Sequence, residues 1–217
     1  MLRPETSNDL FIILVVICLT LIALAKLFFE KRFYQFVAIF ISPSYLKIHT
    51  KNQNFIDFFD GLLFVNLLIS SSIFSFIAYT TYYENQVFTA ISIYKIGFFI
   101  GAFIISKVLL ERLIGSLFSI DSIINNYLFQ KTSYKLFIGL ILIPINIIFL
   151  FSLTPNMYLV IGVIILIILI NIIGLLTSYK SNLNLIKGAL FYFILYLCAL
   201  EIGPYIILYK VLIETKS

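Results

Sequence analysis

The chain has 217 residues; 62% are hydrophobic and 12% are charged, with 15 Lys and Arg against 10 Asp and Glu for a net charge of +5. Soluble domains run near ~45–50% apolar and ~25% charged, and a soluble globule of this size could not hide so much apolar surface. The composition puts the chain in a membrane and excludes a disordered, collagen-like, coiled-coil or disulfide-stapled protein.

At ~20 residues per span the length admits at most about eight membrane helices. The first apolar run, Leu10 to Phe29, is preceded by Arg3, Pro4, Glu5 and Asp9 and ends in Glu30-Lys31-Arg32. It has no basic leader and no small-residue cleavage site, so it reads as a first span and not a signal peptide. Ser7 or Asn8 could cap it. Residues 33–49 are apolar but broken by Ser42-Pro43-Ser44; that pattern predicts an interfacial or re-entrant segment.

The second span is predicted over 58–79 and the third over 91–113, the latter carrying Gly97 and Gly101 as a GxxxG. Residues 114–130 place Leu117, Ile120, Ile124, Tyr127 and Leu128 at helical spacing. This predicts a helix along the membrane surface, with an extension of the third span as its alternative. The fourth span is predicted over 136–153, with Pro144 and Asn146 inside it. Thr154-Pro155-Asn156 then makes a tight turn into a fifth span over 157–176. A polar loop, 177–187, leads to a sixth span over 188–209. The expected fold is an all-α transmembrane bundle of about six spans in one domain, with one or two interfacial amphipathic helices.

Of the 15 basic residues, eleven fall on one side of these spans, among them Lys31, Arg32, Lys107, Arg112, Lys131 and Lys180. Four fall on the other: Arg3, Lys95, Lys210 and Lys216. The positive-inside rule makes the richer side cytoplasmic and both termini periplasmic. Basic residues that cluster at span ends argue orientation, not nucleic-acid binding. Cys18 and Cys198 lie within apolar runs and read as packing residues. With His49 as the one histidine, no metal site or cofactor is expected.

Glu201 is the most informative residue. Helical rise puts it roughly 20 Å from the cytoplasmic face of a ~30 Å core, where an acid must be paired, protonated or wet. Pro204 removes a helix hydrogen bond beside it, Gly203 leaves room, and Tyr205 shares its face. The functional reading is a polar or proton site at a kink; the plainer one is a helix–helix tie. Lys95 is the partner nearest in depth, and its plainer reading is snorkelling to the headgroups. Lys107 pairs more naturally with Glu111, one turn away. Gly97 and Gly101 mark a packing face, within the chain or to a partner. Ser70, Ser71, Ser72 and Ser75 read as packing residues, and Asn66, Asn146 and Asn171 as amides that tie helices together. Asp57 and Asp60 read as helix-capping acids or a cation site. No P-loop, HExxH or GxSxG is present, and no catalytic residue is assigned.

The segment Gly188-Ala-Leu-Phe-Tyr-Phe-Ile-Leu-Tyr-Leu-Cys-Ala-Leu-Glu201-Ile-Gly-Pro204-Tyr-Ile-Ile-Leu-Tyr-Lys210, with the opening Arg3-Pro4, resembles an integral membrane family. That family is domain of unknown function 4271, of Bacteroidota. The resemblance implies a multi-pass protein of the bacterial inner membrane and no particular activity; its lineage suggests an envelope or secretion context. The expected function is therefore a non-enzymatic accessory or scaffold subunit of an inner-membrane complex, surrounded by lipid and other membrane proteins. The alternative is a small transporter or channel built on Glu201. A lipid-modifying enzyme would have only Glu201, Tyr205 and Lys95 to work with.

Overall fold

The computed structural model describes residues 9–40, 57–82, 90–117, 121–153 and 155–186. They form six helices and one short 3₁₀ turn. Helix α1 is Asp9–Phe28 and α2 is Glu30–Val37, followed by the 3₁₀ turn Ala38–Phe40. Then come α3, Phe58–Tyr82; α4, Ala90–Leu117; α5, Asp121–Phe151; and α6, Met157–Ile186. Five of them, all but α2, are long and apolar enough to cross a membrane. With no strand among the described residues, the chain is an all-α, multi-pass membrane bundle.

Helix α1 suits its own dipole, with Asp9 in its first turn and Lys26 in its last. It gives way to α2 at Phe29, which leaves helical geometry at φ −135°, ψ 49°. Glu30, Lys31 and Arg32 follow at once, so the apolar run stops where the charges begin. Helix α2 is short, and its Phe36 is fully buried against the edges of Phe59 and Phe137.

Helix α3 is the hub: it packs against α1, α4 and α5, and α5 in turn carries α6. The α3–α5 approach is closest at Gly139, where an added Cβ would lie 2.8 Å from the Leu67 Cα. Backbone occupies that space, so only glycine fits there. Gly174 of α6 meets the Tyr134 ring of α5 in the same way, at 2.8 Å. Gly97 and Gly101 face α3, against Ser72 and Leu68. The GxxxG is thus an internal packing face. Because 97 lies beside 72 and 101 beside 68, α3 and α4 run antiparallel.

Two expectations need correction. Residues 121–130 are not a separate surface helix: they are the first turns of α5, continuous to Phe151. The reason is burial, since Ile124, Tyr127 and Leu128 are all buried within the bundle. Likewise 177–186 is not a loop but the last part of α6. Polar residues there continue the helix because nothing in Thr177-Ser-Tyr-Lys-Ser-Asn breaks it. Pro144 does not end α5 either. The sixth predicted span lies outside the described residues.

Helix length sets a level. At 1.5 Å per residue, α5 is roughly 46 Å long against a ~30 Å hydrocarbon core. Counting ~20 residues back from Tyr82 and Phe151, or on from Ala90 and Met157, reaches Leu62, Lys131, Leu110 and Leu176. These positions mark one boundary of the core. Arg32, Asp57, Asp60, Glu111 and Lys131 all lie near it or beyond it, so we name this the charged end.

Candidate functional site

The charged end holds two ion-paired clusters. In the first, α2 brings Arg32 to the start of α3. Its Nη1 donates to Asp57 Oδ2 at 2.8 Å and its Nη2 to Asp60 Oδ2 at 3.0 Å. The guanidinium also lies 4.7 Å from the centre of the Phe59 ring. A planar fork can hold two carboxylates on separate nitrogens while its flat face lies over an aromatic ring. The Asp57–Asp60 pair is therefore neither an empty cation site nor only a cap; it ties α2 to α3.

The second cluster joins α4 to α5. Lys131 Nζ donates to Glu111 Oε1 at 2.7 Å, and the ammonium also lies 5.4 Å from the centre of the Tyr127 ring. Here the side chains are only 6% and 1% exposed. The other carboxylate oxygen of Glu111 has no hydrogen-bond partner. Lys107, one turn from Glu111 on the same face, is buried as well. A charged group out of water is retained only with an opposite charge beside it, and Lys131 supplies that for Glu111.

Further in, α3 and α5 are tied by neutral groups. The Ser70 hydroxyl lies 2.8 Å from the Asn66 carbonyl oxygen and 3.2 Å from that of Gly139. The Asn146 amide donates to the Ser70 carbonyl at 2.8 Å. Of the three asparagines expected to tie helices, only Asn146 does so. Asn171 bonds back to Ile167 of its own helix. Asn66 is fully buried, with neither amide atom hydrogen-bonded.

The residues singled out in the sequence part company here. Lys95 is exposed on the outside of α4. Lys107 is buried in the α4–α5 seam, and Gly97 with Gly101 lies at the α3–α4 contact. Glu201, Pro204 and Tyr205 fall outside the described residues, and with them the Glu201–Lys95 pairing. Sequence reasoning missed Lys131, counting it as a loop cation. Its signal was available: Tyr127 and Lys131 recur at helical spacing with Ile124 and Leu128. Among the described residues no group of three or more His, Cys, Asp or Glu side chains comes together to hold a metal.

A bundle of long apolar helices, tied by polar groups at one end and small residues at its contacts, is a polytopic helical membrane protein. More narrowly, the chain matches the family model "Domain of unknown function (DUF4271)" over residues 11–212, and it belongs to that family. No curated protein and no solved structure gives a significant match.

Proposed function

We propose that the protein is a non-enzymatic accessory or scaffold subunit of a bacterial inner-membrane complex, with its charged end in the cytoplasm. Protein export or envelope biogenesis is the setting the family's lineage favours. One observation supports the reading most. Arg32 with Asp57 and Asp60, Lys131 with Glu111, and Asn146 with Ser70 tie helices to one another, while α1, α4 and α6 turn apolar side chains outward. Such groups hold helices in place, and the outward faces suit lipid or neighbouring apolar helices. The positive-inside asymmetry supports the orientation.

The test is capture of the tagged protein, at its native level, from membranes in mild detergent. Stoichiometric membrane partners are expected by mass spectrometry. A protein that runs alone at its own mass would sink the proposal. Solute uptake lost in Glu201→Gln, with expression unchanged, would put the transporter reading in its place.

A further inference from the structure

The outward face of α4 differs from those of α1 and α6. Along it Phe99, Ala102, Ser106, Leu109, Leu113 and Ser116 follow one another in steps of four and three residues, and all are exposed. Lys95 heads the stripe in the same register; it too is exposed and makes no ion pair among the described residues. Gly97, Gly101, Glu111 and Gly115 turn to α3 and α5. At ~100° per residue the stripe lies on the opposite side of the helix. A repeat of ~3.5 residues is what one helix presents to another along its length, and small residues such as Ala102 and Ser106 let two backbones come close. By contrast, α1 is 20 residues long with Asp9 and Lys26 in its end turns, and α6 carries no charge between Met157 and Ser178.

Depth says what can cover this face. Lys95 stands about 8 Å inside the hydrocarbon core counted from Ala90, and Leu113 and Leu117 stand roughly 5 and 10 Å beyond the charged-end boundary at Leu110. Acyl chains end at that boundary, and the headgroup layer adds only about 5–8 Å. Yet Leu113 is 55% and Leu117 71% exposed. An ammonium in the core draws an opposite charge or bends to the headgroups. The second course leaves the leucines bare, whereas a partner helix answers both. A second copy of this chain does not fit. The stripe carries no acid, and a two-fold axis along the membrane normal would set the two Lys95 side chains level, where like charges repel.

We infer that the outward face of α4 docks a transmembrane helix of another protein. That helix carries a carboxylate level with Lys95 and an apolar stripe that runs on past the charged-end boundary to meet Leu113 and Leu117. The inference rests on the scaffold reading and names where the partner sits and what it offers.

A photoreactive amino acid replaces Leu109 or Leu113 in the full chain, at its native level in intact membranes. The exposed Ile13 of α1 and Ile165 of α6 are the control positions. The α4 positions should give a discrete adduct with one other membrane protein, and the controls should not. Mass spectrometry of the adduct should place an Asp or Glu of the partner helix level with Lys95. Lys95→Gln should lower the adduct yield roughly tenfold, the scale of one interhelical polar contact in a membrane. Lys95→Glu should abolish the adduct, and exchanging the partner's acid for lysine should restore it. Lys95 lies outside the packed interior, so its variants should melt as the unaltered chain does. An adduct of twice this chain's mass, a partner helix with no acid at that level, or a charge exchange without rescue overturns the proposal. Adducts with lipid alone from α4, or partner adducts from α1 or α6 instead, also overturn it. If the tagged protein still captures stoichiometric partners, the scaffold reading survives that failure.

Discussion

The two ion-paired clusters at the charged end solve one problem in different ways. Arg32 grips Asp57 and Asp60 with both arms of its guanidinium, in a site where the acids keep 29% of their side-chain surface exposed. Lys131 meets Glu111 through a single contact, with both side chains almost wholly out of water. The first is partly screened, so breaking it leaves charges that solvent can reach. The second has no such relief, and removing one partner strands the other. The same kind of pair is thus a modest clip in one place and an obligatory tie in the other.

That contrast can be tested from its strongest side downward. Lys131→Met should destabilise the bundle by about 3–5 kcal/mol, because it takes from buried Glu111 the ammonium that donates to its carboxyl. Combining it with Glu111→Gln should restore most of the loss in thermal melts; a double variant as unstable as the single one would break the comparison. Gly139→Ala comes next, at roughly 1–3 kcal/mol, since the new methyl meets Leu67 backbone. It calibrates what packing alone costs, at the α3–α5 contact. Arg32→Gln should cost about 1–2 kcal/mol, and the loss should shrink in high salt. A larger, salt-independent loss would show that this clip is as dry as the other. Asn66→Ala should come within about 1 kcal/mol of neutral, because the amide forms no hydrogen bond that truncation would break. A marked loss would reveal an ordered water on the Asn66 amide.

The all-α bundle and the five described crossings were legible because ~20-residue apolar runs have few alternatives in lipid. The starts of α1 and α3 were legible too, since charge and apolar run meet abruptly at Asp9 and Asp57. The far ends of α4, α5 and α6 at the charged end were harder. Polar residues such as Gln130 and Lys131 resemble a surface segment in one dimension. They become interior only when another helix covers them. The Gly97/Gly101 face was visible, but not its neighbour, because GxxxG encodes closeness and not identity. The Gly139 and Gly174 contacts carry no motif at all and depend on which helices adjoin. Lys131–Glu111 spans 20 positions of chain; no local spacing rule reaches that far.

The extra length of α5 has a mechanical meaning. A tilt of ~20° shortens a 46 Å rod by only about 3 Å, so tilting cannot bring it within the hydrocarbon slab. The surplus stands out at the charged end as a rigid collar, shared by α4 and α6 through their own overshoot. Lipids of different thickness would then be met unequally by the two rims. The charged rim fixes the waterline, while the opposite rim, with Lys95 on its outer surface, rides up or down.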